Sequence, residues 1–210
     1  DRAIDFITEA GDRPWCLHLS FIKPHWPYVA PAPYHALYGA NGMLPANRSE
    51  GERARAHPVH AAFMHHEDSE SFSRDAVRET VIPVYMGLVK QIDDHMGRLM
   101  VFLDRAGRLD DTLIVFTSDH GDYLGDHWLG EKELMHEASV RIPLIVYDPD
   151  PAADATRGLA DDRLVEAIDL VPTFIQAVGG APQPHRLEGR SLLPLIRDTE
   201  PGTAWREAAF

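Results

Sequence analysis

The chain has 210 residues, 44% hydrophobic and 25% charged, enough apolar material for a full core, which excludes disorder, coiled coil and collagen. No apolar run approaches the roughly 18 residues needed to cross a bilayer, and the opening DRAIDFITEA lacks the basic start and apolar middle of a signal peptide. Twenty basic residues against 33 acidic ones give a net charge of −13, so neither nucleic acid nor a membrane surface is expected as a partner.

Ala3, Ile4, Phe6, Ile7 and Ala10 form one apolar stripe closed by Gly11, which predicts a short amphipathic helix. In WCLHLSFI, residues 15–22, Trp15, Leu17, Leu19 and Phe21 alternate with Cys16, His18 and Ser20, the period of a strand. KPHWPYVAPAPY follows, and its four prolines forbid helix and ladder alike, so an extended loop leaves the strand end. Cys16, the single cysteine, excludes an internal disulfide framework and leaves the compartment open, the cytoplasm being preferred.

Residues 47–79 are crowded with Arg, His, Glu and Asp and show little periodicity, which reads as a polar surface excursion with partial helix and no functional signal. Val84 to Ala106 carries Leu88, Ile92, Met96, Leu99 and Leu103 at helical spacing, with Gly107 as the cap. TLIVFT reads as a strand buried on both faces, and IPLIVY at 142–147 repeats the signal. RLVEAIDLVPTFIQAVGG reads as a strand to about Ile168, then a helix capped by Asp169 that ends at Gly179 and Gly180, with Pro172 in its first turn. RDTEPGTAW, near residue 200, reads as a boundary to a further part. Alternating strands and helices predict an α/β layer fold with a mostly parallel sheet, whose chemistry gathers in loops at the carboxyl ends of strands.

Two loops leave strands in that direction. After TLIVFT come Asp119, His120, Gly121, Asp122, Asp126 and His127, a concentration of oxygen and imidazole donors that suits a divalent metal. Adjacent residues in extended chain point apart, so Asp119 and His120 share an ion only where the chain turns, as Gly121 would allow. The plainer alternative is a turn in which the aspartate caps local N–H groups. Lys132, thirteen positions after Asp119, supplies a point charge for an anionic substrate, unless it is a solvated surface lysine. GDHWLGEK is not a phosphate-binding P-loop, because Glu131 stands between Gly130 and Lys132.

In the first loop, His25 is braced between Pro24 and Pro27, placed to protonate a leaving oxygen or bind an anionic one; the alternative is packing against Trp26 or Tyr28. Trp26, Tyr28 and Trp128 are candidates for lining a pocket. His65 and His66 are expected to face solvent, and His127 and His136 to support the site from behind.

TSDHGDYLGDHWLGEKELMHEASVRIPLIVYDP, HLSFIKPHWPY, VYMGLVKQIDDHMGRL, AIDLVPTFIQAVGGAP and LEGRSLLPLI together resemble the sulfatase branch of the alkaline phosphatase superfamily. Within it the chain is most similar to phosphonate monoester hydrolases and arylsulfatases, over most of residues 1–200 and in the same order. The resemblance implies an alkaline phosphatase-like α/β sandwich, with a mostly parallel mixed central sheet flanked by helices, here incomplete. It implies hydrolysis of small anionic monoesters of sulfate, phosphate or phosphonate with one divalent metal, Mn, Ca, Mg or Zn, of which Mn is preferred. Asp119 and His120 match metal ligands, Lys132 the lysine touching the substrate's anionic oxygens, and His25 the histidine assisting the leaving group. Most sulfatases carry Asn after that aspartate, so His120 favours the phosphonate branch.

The family's Cys/Ser-x-Pro/Ala-x-Arg stretch, whose cysteine becomes formylglycine, has no counterpart here: Cys16 stands in CLHLS. The family's further acidic ligands, from an early strand, are also missing. Because those elements lie upstream in the family, and the chain opens at Asp1 without methionine and ends within WREAAF, residues 1–210 are expected to be the later portion of a single catalytic domain. Alone it should be nearly inactive, bind metal weakly and expose sheet edges that invite association, a homo-oligomer included. The alternative is a non-catalytic binding or assembly module that kept the fold and lost the nucleophile. A phosphomutase-type two-metal enzyme is disfavoured, because too few His and Asp ligands cluster.

Overall fold

The apolar stripe of the first residues does form a helix, α1, Arg2–Ala10, with Ile7 and Ala10 buried and Gly11 at a φ of 58° turning the chain away. In the computed structural model the described residues are 2–199, 202 and 204–209. They belong to two compact units, Asp1–Gly107 with His120–Ile142, and Arg108–Asp119 with Pro143–Phe210.

The first unit is built on α5, Asp75–Arg105, a helix of 31 residues whose Leu88 and Leu103 are buried. It begins nine residues before the predicted start at Val84, running through Pro83. A proline inside a helix strips the donor from the carbonyl four residues back, here that of Glu79, an exposed position where water can replace it. Gly107 ends the helix at a φ of 64°, as predicted. The proline-rich loop lies directly on α5: a Cβ at Gly87 would stand 2.2 Å from the Tyr34 carbonyl oxygen, and the Tyr34 hydroxyl donates to Asp94 across 2.9 Å.

The predicted strand at 15–22 is not formed. Trp15, Leu17 and Phe21 are half-buried while Cys16, His18 and Ser20 are exposed, but Leu19 is exposed as well, so the period of two survives in burial only in part. A strand also needs a hydrogen-bonded neighbour, and among the described residues this segment has none. The excursion at 47–79 holds three short helices, α2 (Glu50–Ala54), α3 (Pro58–Met64) and α4 (Glu67–Phe72). Past the site loop, α6, Glu137–Val140, completes the unit.

In the second unit, β1 (Ile114–Thr117) and β2 (Leu144–Tyr147) pair with Ile114 opposite Tyr147 and Thr117 opposite Leu144. The pair is antiparallel, which corrects the parallel arrangement expected for these strands. That expectation assumed a crossover helix between successive strands, and residues 118–143 carry nothing longer than the four-residue α6. β1 is half-buried rather than buried on both faces.

The strand expected to run to Ile168 is likewise absent: a tight helical turn, Ala167–Asp169, leads into α7, Leu170–Ala177. Asp169 winds the chain there, because its side chain accepts from the Glu166 N–H at 2.8 Å. α7 ends before Gly179, at a φ of 79°, with Pro172 in the first turn, as predicted. Asp169 is fully buried and also accepts from the Arg190 N–H at 2.8 Å and from both guanidinium nitrogens of Arg206 at 2.7 and 2.6 Å. α8, Leu193–Ile196, closes the unit with Leu192 and Leu193 buried. The boundary expected near residue 200 falls on Glu200, Pro201 and Thr203, outside the described residues, as are the chain ends Asp1 and Phe210.

Candidate active site

His25 and Lys132 meet in the first unit, the lysine Nζ 3.1 Å from the histidine Nε2. The turn that presents His25 is closed by its own groups: the His25 N–H donates to Ile22 O at 3.2 Å, and Lys23 Nζ donates to His25 O at 3.2 Å and Pro27 O at 2.5 Å. His25 Nδ1 lies 2.9 Å from Trp26 O. A carbonyl only accepts, so Nδ1 carries the proton and Nε2 turns its lone pair toward Lys132. Of the two rings proposed as packing partners, Trp26 lies beside the imidazole at 5.8 Å between centroids and is itself 55% exposed. Tyr28 instead donates to Asp122 at 2.8 Å, tying the proline turn to the loop that carries Lys132.

That loop, residues 121–136, follows an unusual path. Leu124, His127, Trp128 and Glu131 all have φ between 46° and 63°, a left-handed conformation costing non-glycine residues roughly 1–3 kcal/mol each. Neighbouring groups hold it there. Tyr123 N–H donates to Glu131 O at 2.9 Å, Gly125 N–H to Leu129 O at 2.8 Å, and Gly130 N–H to Ser69 Oγ on α4 at 3.1 Å. Gly121 is required, though for space rather than a left-handed φ: a Cβ there would meet Ala138 O at 2.0 Å.

Lys132 Nζ also donates to Glu131 Oε2 at 2.9 Å, and that hydrogen bond holds the ammonium above the ordinary lysine value. Burial pushes the Asp122 carboxyl up to about 6, opposed by its bonds from Tyr28 and the Leu124 N–H. Tyr28 is raised in turn, first by burial and then by Asp122. Lys132 thus has the acidic groups Glu131, Glu133 and Asp122 acting on it.

His120 is half-buried with Nδ1 2.7 Å from Gly121 O, which makes Nε2 the lone-pair nitrogen, the arrangement common in metal-binding histidines. Asp119, exposed, closes the 108–119 segment of the second unit, and its Oδ1 accepts from Ser118 Oγ at 3.3 Å. Carboxylate and imidazole are the donor types a divalent cation takes. Their number falls short: among the described residues no three His, Cys, Asp or Glu side chains gather as a metal site.

The excursion is more than a solvated surface. His127 Nδ1 donates to Glu52 on α2 at 2.6 Å, and His60 on α3 donates to His127 O at 2.8 Å. The rings of His127 and His136 stack 4.2 Å apart, and the Tyr123 hydroxyl bonds Leu134 O at 2.7 Å and His136 Nδ1 at 2.8 Å. Trp128 lies under the guanidinium groups of Arg48 and Arg53 and donates to Ser49 O at 2.9 Å, which makes it a joint with α2. His65 and His66 are exposed. Sequence reasoning missed Glu131 and Glu52 as partners here and took Asp122, which bonds Tyr28 and the Leu124 N–H, for a metal donor; the one signal for Glu52 was the charged richness of 47–79.

The family model for Sulfatase matches residues 1–181. The chain belongs to the sulfatase family. Among curated relatives of this sulfatase chain, the multifunctional alkaline phosphatase superfamily protein PehA of Trinickia caryophylli is 38% identical over 98% of the chain and 42% of its own length. An arylsulfatase of Clostridium perfringens is 28% identical over 99% of the chain and 42% of its own length. The crystal structure of a phosphonate monoester hydrolase from Agrobacterium radiobacter superimposes with a TM-score of 0.87 at 31% identity, covering 99% of this chain and 43% of that one. The fold is therefore that of the alkaline phosphatase superfamily, α/β, and the sulfatase chain spans about 42% of the length of the curated relatives it matches. Enzymes of this superfamily use a divalent metal.

Proposed function

We propose that the protein hydrolyses sulfate, phosphate or phosphonate monoesters, and that this chain is the later portion of one catalytic domain whose formylglycine-type nucleophile lies on the remainder. The observation that carries the reading is the 3.1 Å contact between His25 Nε2 and Lys132 Nζ, which gathers a cation and a proton carrier at one point from two distant loops. Family membership supplies the reaction class.

In this reading the Lys132 ammonium meets the anionic oxygens of the ester and offsets the charge that develops there. Protonated at both nitrogens, His25 gives the Nε2 proton to the departing alkoxide and is left in the form whose Nε2 accepts from Lys132; the Trp26 carbonyl keeps the other proton on Nδ1, so only Nε2 exchanges. Asp119 and His120 would each offer a donor to a divalent metal, Mn preferred, which would polarise the ester and would need donors beyond these two. Tyr28 and Asp122 keep the two loops together.

The decisive assay measures steady-state rates of the intact protein on a panel of sulfate, phosphate and phosphonate monoesters, with metal analysis alongside. Lys132→Ala should cost roughly 2–4 kcal/mol of transition-state energy, and an unchanged rate would remove Lys132 from the site. The second reading, a non-catalytic module, is favoured by the absence of a Cys/Ser-x-Pro/Ala-x-Arg stretch in the chain. Residues encoded ahead of Asp1 separate the two: that stretch supports the enzyme, an unrelated domain the module.

A further inference from the structure

Beside Lys132, the loop bears two costs at one residue. Glu131 is 9% exposed, with its side chain 11% exposed, and its φ is 61°. Burying a carboxylate is unfavourable unless a cation compensates it, and a left-handed φ is unfavourable for any residue with a Cβ. Neighbouring side chains on an extended chain point apart. Here the left-handed turn at Glu131 brings its Oε2 to 2.9 Å from the Nζ of the next residue.

We propose that Glu131 is a positioning residue for Lys132: its buried carboxylate holds the ammonium beside His25 Nε2, aimed at the place where the anionic oxygens of the ester sit. The proposal rests on the reading of Lys132 given under the proposed function. A lysine on a flexible four-carbon stem pays rotamer entropy each time it must be in one place, and an anchor settles that cost before substrate arrives. The backbone at this point is already fixed. Tyr123 N–H donates to Glu131 O at 2.9 Å, Lys132 N–H to Glu133 Oε2 at 2.9 Å, and Ser139 Oγ to Lys132 O at 2.8 Å. What remains free is the lysine stem, whose side chain is 31% exposed, and Glu131 restrains its tip. Of the three protons on the ammonium, one goes to Glu131 and one to His25, which leaves one to donate to an ester oxygen.

The test uses the intact protein, with an aryl sulfate and an aryl phosphonate monoester as substrates. Glu131→Gln keeps shape and removes charge. It should lower kcat/KM by about 10- to 100-fold, as loss of an orienting partner does, while the melting temperature stays near that of the unchanged protein. The alkaline limb of the rate profile should move to lower pH, because the hydrogen bond to Glu131 is what keeps Lys132 charged. Glu131→Asp, which retains the charge, should bring that limb back. The double variant Glu131→Gln with Lys132→Ala should be no slower than Lys132→Ala alone, since Glu131 acts only through the lysine.

If Lys132→Ala is slow but Glu131→Gln runs at full rate, or if the two losses multiply, this proposal is overturned while the hydrolase reading stands. If Lys132→Ala runs at full rate, the parent reading fails and this one with it. Where Glu131→Gln does not fold, NMR of the isotopically methylated lysines in the unchanged protein decides: a Lys132 that titrates at or below the ordinary lysine value overturns the proposal, one above it supports it.

Discussion

Arg206→Ala offers the sharpest test of how the second unit is held together. Asp169 is fully buried and takes four hydrogen bonds, two from backbone N–H groups and two from the Arg206 guanidinium at 2.7 and 2.6 Å. Arg206 also reaches Glu166 at 2.7 Å, and its side chain is only 10% exposed. The substitution leaves the backbone donors in place but strands a buried carboxylate without its cation, a change worth about 3–5 kcal/mol. At this chain length 1 kcal/mol moves the melting temperature by about 2–4 °C, so the fall should be about 6–20 °C. Differential scanning calorimetry of the second-unit transition reads it. Arg163→Ala is the control: its pair with Asp161 has side chains 42% and 46% exposed, and losing it should cost at most about 1 kcal/mol. If both variants melt alike, the buried pair does not carry this unit and the reasoning fails.

Other outcomes follow from the first unit. Burial, with His127 and His60 alongside, holds His136 below its ordinary value of 6.5. The folded chain then binds this proton more weakly than the unfolded one, so the contribution to stability is full above about pH 6.5 and is lost as the pH falls below it. His136→Asn, which keeps a donor for the Tyr123 hydroxyl, should flatten melting temperature against pH between about 5 and 7; an unaltered slope refutes the assignment. Gly87→Ala sets a methyl 2.2 Å from Tyr34 O and should cost about 1–3 kcal/mol in denaturant unfolding, whereas Gly97→Ala, which meets nothing in the same helix, should stabilise by up to about 1 kcal/mol. Manganese titrated calorimetrically onto the 210-residue chain alone should bind too weakly to saturate at millimolar cation, because two donors do not make a site. Saturation at one equivalent in the micromolar range would show a donor set not recognised here.

Elements whose hydrogen bonds and apolar stripe are internal were legible from sequence: α1 with Gly11, most of α5 with Gly107, and α7 with Pro172 and Gly179. The segments read as strands divide differently. TLIVFT and IPLIVY pair with each other and became β1 and β2, whereas WCLHLSFI, which alternates, and RLVEAI, which is apolar without alternating, have no strand neighbour among the described residues. Alternation reports which side chains face inward and says nothing of what lies alongside. Among the candidate residues, His25, Lys132, Asp119 and His120 stood out by chemistry and spacing. Glu131 did not, because GEK reads as a polar turn and nothing in it marks a left-handed glutamate under a lysine. The partners of His127 and His136 were hidden for a similar reason: Glu52 and His60 touch a loop rather than a core, so no periodicity marks them.

His25 and Lys132 are 107 positions apart in sequence. Joining such distant points must overcome chain entropy before any contact rewards it, whereas α5 gains its internal bonds turn by turn. The contact between them should therefore arrive last during refolding, after helical signal has returned, and a chain that has regained its circular dichroism without that contact is one whose two loops have yet to find each other.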